Sequence, residues 1–265
     1  MNEPPVVWHY GLMADHWAEF NTATPELEFI REAVSKYGEP VLDLACGAGR
    51  LLVPLLSAGV DVDGADISSD MIERCRQAAA RVGRSTNLYC QQMDQIDLPR
   101  RYRTIYLCGS FGLAGSRQRD LETLRRCRAS LADGGALIFD IDAEYASPES
   151  WNKWLPEHAS RLPEAWPKSG SRQTDADGAE HRAFFRAIED DPLELTYTRE
   201  VRLERWEKGS LVASEQYSLR GNAYLKPEVE LMLRVAGFGD VDVRGDWREQ
   251  PASVTSEQVV FIART

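Results

Sequence analysis

The sequence predicts an α/β fold: a mostly parallel sheet flanked by helices, with an antiparallel β insertion placed late in the chain. Three observations predict it. Short apolar runs alternate with segments of helical period from residue 26 to residue 141. The first run, Val41-Leu42-Asp43-Leu44-Ala45, breaks into a Gly-x-Gly turn. Between residues 148 and 225 the rhythm changes to strand-like alternation. Strands separated by helices join through right-handed crossovers into a parallel sheet, whereas adjacent alternating runs pair antiparallel.

The elements follow in order. Leu27, Ile30, Val34 and Tyr37 recur at helical spacing, so residues 26–37 are expected to be a helix that stops before Gly38 and Pro40. Strands are expected at Val41–Ala45, Asp61–Asp66, Asn87–Gln91, Thr104–Cys108 and Ala136–Ile141, with helices starting near Leu51 and covering Ser69–Arg81 and Arg119–Leu131. In the insertion, Trp166-Pro167 leads into a polar loop over Ser169–Glu180, and Leu195–Arg205 and Leu211–Leu219 alternate like antiparallel strands. Pro227–Ala236 reads as a helix closed by Gly237, followed by strands at Val241–Gly245 and Gln258–Ala263. No internal repeat or low-complexity tract is evident.

The Gly47-Ala48-Gly49 turn carries the chemistry. Glycine permits positive φ and removes the Cβ that would block close approach of a ligand to the backbone. Asp66 follows Gly47 by nineteen residues at the end of the second strand, the offset at which a carboxylate reaches ribose hydroxyls. The pair predicts a nucleoside-cofactor site. A dinucleotide fingerprint places Gly or Ala three positions after the second glycine, and here that residue is Leu52. Asp43, just before the turn, would repel a pyrophosphate yet suits a ligand bearing an ammonium and a sulfonium group. S-adenosylmethionine fits this pattern better than NAD.

On these residues the chain resembles the class I S-adenosylmethionine-dependent methyltransferases. The matching blocks are Val41 to Arg50, Gly64-Ala65-Asp66-Ile67-Ser68, Gln92-Met93, and Leu131 to Leu137, which span residues 41 to 141 with their neighbours. The resemblance implies a Rossmann-like, seven-stranded, mostly parallel sheet with an antiparallel edge hairpin made by the last two strands, plus the antiparallel β cover. It implies one methyltransferase domain over 1–265, with a lid segment at 1–25, a core at 26–147 and 226–265, and an inserted substrate cover at 148–225.

It also implies site residues. Backbone groups of Ala45, Gly47 and Gly49 would hold the methionine end of the cofactor, with Arg50 a further cofactor contact and Asp43 near the ammonium group or ordering the turn, and Asp66 would accept from the ribose hydroxyls. Ile67 and Met71 would line the adenine, and Gln92-Met93 occupies the place where the family often has Asp-Met. Gln92 departs from that pattern, and its carbonyl is expected to accept from the exocyclic amine. Cys108, Gly109 and Ser110 would lie beside the transferable methyl. Tyr10 and Trp17 belong to a segment similar to the one that folds over the cofactor, with the Tyr10 ring or hydroxyl against the sulfonium.

On the acceptor side, Phe111, Asp142, Trp151 and Arg220 are the expected substrate contacts. Asp140 and Asp142 are expected on opposite sides of the fifth strand, with Asp142 facing the acceptor and Arg220 meeting an anionic group. Asp142, His16 and Tyr10 are the candidates for a general base. No Asp/Asn-Pro-Pro-Tyr motif is present, which argues against that apparatus for nucleobase or amide methylation. His9 and His16 are seven apart, too far for a metal pair on one helix face, so no metal is expected.

Composition narrows the partners. With 42 acidic against 31 basic residues the formal net charge is −11, which disfavours a nucleic acid backbone or an anionic membrane. Five cysteines without a Cys-x-x-Cys pair point to reduced thiols, and no apolar run is long enough to span a bilayer. A soluble cytoplasmic monomer or homodimer is the expectation. The function these observations favour is methyl transfer to an N or O atom of a small molecule; the alternatives are a non-catalytic binding protein on the same fold and a nicotinamide oxidoreductase.

Overall fold

A computed structural model describes residues 5–264. Seven strands form the main sheet in the order β10-β11-β5-β4-β1-β2-β3. They are β1 (Val41–Leu44), β2 (Val62–Asp66), β3 (Leu88–Cys90), β4 (Tyr102–Leu107), β5 (Leu131–Asp142), β10 (Asp240–Gly245) and β11 (Gln258–Arg264). The neighbours from β3 through β5 pair in parallel, while β11 runs antiparallel to both β5 and β10. Strand order reverses beside β1, where β2 leads one way and β4 the other. At such a switch point the connections part and leave a crevice outside the strand ends.

Helices bury apolar stripes on both faces. On one face α2 (Leu27–Tyr37), α3 (Leu52–Ser57) and α4 (Ser69–Arg81) pack Ile30, Leu52, Leu55 and Ile72 against Val41, Val62 and Ile138. On the other, α5 (Arg117–Ser130) and α8 (Lys226–Val235) pack Leu124, Val229 and Leu233 against Leu42, Leu137 and Phe139. Strand β1 is buried along its whole length, as a central parallel strand covered on both faces must be. Ser68 and Ser116 cap α4 and α5 by accepting from the amides of Met71 and Arg119.

The insertion adds two short helices, α6 (Pro148–Asn152) and α7 (Pro156–Ala159), and a four-stranded antiparallel sheet in sequential order β6-β7-β8-β9. Its strands are β6 (Ser171–Thr174), β7 (Glu180–Asp191), β8 (Thr196–Glu207) and β9 (Ser210–Asn222). The polar loop expected at Ser169–Glu180 is instead the β6 strand and the turn into β7. β7 (Glu180–Asp191) stands where no strand was expected, because charged residues separate its buried His181, Ala183, Phe184 and Ala187 and a register shift between Ala187 and Glu189 breaks the alternation.

The remaining helix, α1 (Gly11–Phe20), lies between this sheet and α4. Leu12 and Met13 pack against Ala183, Val201 and Leu203 of the second sheet, and Asp15 pairs with Arg74 of α4. Among the described residues, no helix is long and apolar enough to cross a membrane.

Candidate active site

A cavity of about 620 Å³ opens over the carboxyl ends of β1, β4 and β5 and is bounded above by α1, the chain before it, and residues Tyr197 and Leu219 of the second sheet. Its floor is the turn after β1. Ala45, Gly47 and Gly49 all take positive φ, at 60°, 53° and 89°. A Cβ on Gly49 would come within 2.8 Å of the Cys75 sulfur, whereas one on Gly47 would meet nothing within 4 Å. The two glycines thus do different work: Gly49 lets the turn pack on α4, and Gly47 presents bare backbone.

Asp66 organises this turn. Its Oδ2 accepts the Gly47 N–H at 2.9 Å and its Oδ1 accepts the Ser68 N–H at 2.8 Å. Burial raises its pKa, and those backbone donors counteract the rise. A carboxylate has about four acceptor positions, so lone pairs remain for a ligand's vicinal hydroxyls. Asp43 is buried beneath the turn, and burial pushes it up to about 7. Arg50 is committed elsewhere: its guanidinium makes two bonds to Glu26, at 2.7 and 2.9 Å, and one to the Ala23 carbonyl at 2.6 Å.

Ile67, Met71, Gln92 and Met93 line the cavity next to Asp66. The Gln92 carbonyl, expected to meet an exocyclic amine, instead accepts from Arg119, which also grips Asp94 through bonds of 2.7 and 2.9 Å. A buried guanidinium competes strongly for a neutral acceptor.

Beyond the turn, Cys108, Gly109, Ser110 and Phe111 line the cavity at the end of β4. This loop is fixed from two sides. The Gly109 N–H donates to Asp140 Oδ1 at 2.7 Å, and Gly112, at φ 99°, passes so close to the second sheet's return that a Cβ there would sit 2.4 Å from the Asn222 carbonyl oxygen. Asp120 gathers the same junction, accepting from the Ala114 N–H, Asn222 Nδ2 and the Tyr224 hydroxyl. Burial and the neighbouring Asp140 and Asp43 carboxylates push the Cys108 thiol well up, so it is no nucleophile at neutral pH.

Asp140 and Asp142 both line this cavity, contrary to the expectation that they diverge. Residues two apart on a strand share a face. Asp140 is buried and burial raises it to about 7, with Asp142 and Glu26 adding to the rise. Burial and Glu144 raise Asp142 as well, while Lys153 acts in the other direction.

Several expected residues lie elsewhere. His16 is buried between Phe20 and His181, with ring centroids at 4.9 and 5.9 Å, and lies outside the cavity lining. Arg220 is exposed and is likewise not part of the lining; its neighbour Leu219 faces the cavity, so the alternation of β9 turns Arg220 away. Trp151 is 46 % exposed on α6 and outside the lining. Tyr10 caps α1 beside Asp66, Cys90 and Asp70, where burial and those groups raise its hydroxyl pKa, and it too is outside the lining. Trp17 does line the cavity, joined by Trp8, His9 and Tyr197, which sequence reasoning missed. His9 stacks edge-on to Trp17 with centroids 5.6 Å apart, and its carbonyl accepts from Ser68 Oγ.

Residues 41–135 match the family model described as "Methyltransferase domain". A protein of Geobacillus sp. (strain WCH70) named "Putative methyltransferase GWCH70_2453" is 23% identical over 245 residues, covering 89% of this chain and 90% of that protein. Among solved structures, an S-adenosylmethionine-dependent methyltransferase from Clostridium acetobutylicum superposes with a TM-score of 0.72 at 16% identity, over 96% of this chain and 97% of that one. CalS10 of Micromonospora echinaspora, an amino pentose methyltransferase with its S-adenosylmethionine bound, superposes with a TM-score of 0.64 at 15% identity over 98% of each chain.

Proposed function

We propose that this chain, a class I methyltransferase whose cofactor is S-adenosylmethionine, methylates an amine nitrogen of a small molecule held under the second sheet. One observation carries the choice of an amine: the charge of the cavity wall. Among the described residues lining the cavity, Asp43, Asp66, Asp140 and Asp142 face one guanidinium, Arg50, which Glu26 already neutralises, while a fifth acid, Asp94, is ion-paired to Arg119. Lys153, which acts on Asp142, is itself ion-paired to Glu144 at 2.8 Å. Such a wall favours a cationic guest and repels carboxylates and phosphates. The amino pentose named for CalS10 has the same chemistry.

When bound, the cofactor supplies an electrophilic methyl on a sulfonium that is its own leaving group. The protein's work is then positioning and exclusion of water. The turn at Ala45–Gly49 would hold the methionine end, with Asp43 beneath its ammonium, and Asp66 would take the ribose hydroxyls while ordering Gly47. The Cys108–Ser110 turn would border the methyl. Asp142 and the rings of Trp8, Trp17 and Tyr197 would hold the acceptor, residues 5–20 closing one side and residues 148–225 acting as the cover.

The test is a panel of matched acceptors, an amino hexose and benzylamine against the parent hexose and benzyl alcohol, followed by S-adenosylhomocysteine release and product mass. Methylation of amines with no turnover of the alcohols is the expected result. Methylation of the alcohols alone would overturn the amine reading and leave an O-methyltransferase.

A further inference from the structure

Resting on the amine reading, we propose that Asp140 is the base that removes the acceptor's ammonium proton before methyl transfer. A protonated amine has no lone pair to offer, so an acidic pocket that attracts the ammonium form also needs a group to take its proton. Asp140 is placed for that. The parallel register that sets Leu107 of β4 opposite Phe139 of β5 puts the next pair, Cys108 and Asp140, level with each other at the sheet edge. One carboxylate oxygen is fixed by the Gly109 N–H at 2.7 Å, so the group is oriented by the same turn that borders the methyl.

Its surroundings keep it a base that can also let the proton go. On its own strand, Asp142 shares its face two residues on. From the segment before α2 comes Glu26, bound to Arg50; from the end of β4 comes the Cys108 thiol; from β11 its register partner is the apolar Val260. Two carboxylates on one face resist being charged together, and the more deeply buried of them is the one that holds a proton. Asp140 is only 3% exposed, whereas Asp142 is open to the cavity. Burial and these neighbours bring Asp140 to about 7, which suits proton exchange at neutral pH. The other candidates fit less well. His16 is outside the cavity, and burial drives His9 down to about 4, making it a weak base.

The step balances. The acceptor's ammonium passes one proton to the Asp140 carboxylate; the freed nitrogen pair forms the N–CH3 bond while the S–CH3 bond breaks and its electrons return to sulfur. The products are an N-methylammonium ion and S-adenosylhomocysteine, and the Asp140 carboxyl then yields its proton to water.

The experiment compares wild type with Asp140→Asn and Asp140→Glu on the amine of the panel that is turned over fastest. Wild-type kcat should rise with pH and level off near 7. In D140N it should fall about a hundredfold at pH 7, within the usual range for a lost general base. It should then keep climbing until the amine deprotonates on its own in water, while D140E keeps the early plateau. Infrared difference spectra of the protein alone supply a readout apart from turnover: a protonated carboxyl band titrating near 7 should lose the Asp140 component in D140N and keep that of Asp43. Unchanged S-adenosylhomocysteine binding by calorimetry checks that D140N is folded. A D140N profile of wild-type shape, merely scaled down, or an unchanged carboxyl band, would overturn the role of Asp140 while sparing the amine reading. Turnover of alcohols only would overturn both.

Discussion

Asp66 accepts the Gly47 and Ser68 amides at 2.9 and 2.8 Å, and in the role proposed for it its remaining lone pairs would take the ribose hydroxyls. Its removal should therefore cost the cofactor twice, through the lost ribose contact and through a looser turn. A charge-assisted hydrogen bond is worth about 1.5–3 kcal/mol, so Asp66→Ala should raise the S-adenosylhomocysteine Kd by one to two orders of magnitude. Isothermal titration decides it, and an unchanged Kd would remove Asp66 from the site. That residue was legible because both its offset from the glycine turn and its chemistry are local to the sequence. The acceptor side was legible only where strand period is applied strictly. Asp140 and Asp142 share a face because they are two apart, and Arg220 is lost to the site because Leu219 takes the inward position. Gln92 shows a different limit: nothing in the sequence tells that Arg119, twenty-seven residues away, claims its carbonyl.

At the scale of elements, the helix α1 is the joint between the two sheets, and carboxylates from both sides hold its amino end. The Gly11 N–H donates to Asp70 of α4 at 2.7 Å and the Leu12 N–H to Glu215 of β9 at 2.8 Å. These are the orphan donors of a helix start, satisfied by negative charge where the helix dipole favours it. The nearby Asp15–Arg74 pair is about a third exposed on each side and adds little. Loss of a comparable cap costs about 1 kcal/mol, so Glu215→Ala should speed amide exchange in α1 roughly fivefold while the amides of β1 and β4 keep their rates. Hydrogen exchange followed by mass spectrometry measures both, and equal protection of α1 in the variant would show that Glu215 does not dock it. The core strands could be read from sequence because each is an apolar run buried on both faces. β7 could not, since the half-buried Arg182 and Arg186 interrupt its apolar residues, and their partners, Glu180 on the same strand and Glu200 of β8, are not marked by the local sequence. The site residues Trp8 and His9 precede α1, where no period marks them.

Across the whole molecule, burial sets two opposed pH responses against each other. His9 and His16 are driven down to about 4 from an ordinary value of 6.5. The unfolded chain then binds more protons than the folded one between those limits, so this pair makes stability rise as pH goes from about 4 to 6.5. Asp43 and Asp140 are raised to about 7 from 3.8. For them the folded state holds the extra protons, so their contribution is fully present below 3.8 and is lost as pH climbs to 7. Between 4 and 6.5 the two pairs oppose each other, and Asp66, Asp120 and Asp142, which burial also raises, add to the carboxylate side. Unbalancing the set exposes the compensation. His16 lies outside the cavity, its Nδ1 is buried without a hydrogen-bond partner, and its neighbours Phe20 and His181 would accept a ring. His16→Phe removes one of the two acid-destabilised groups, so its melting temperature should rise relative to wild type at pH 5 and less, or not at all, at pH 7.5. Calorimetry at those two pH values measures the difference, and a gain that is the same at both would mean that His16 acts through packing alone. Because α1 carries His16 against His181 of the second sheet, the same titration reports on the contact that closes the cavity.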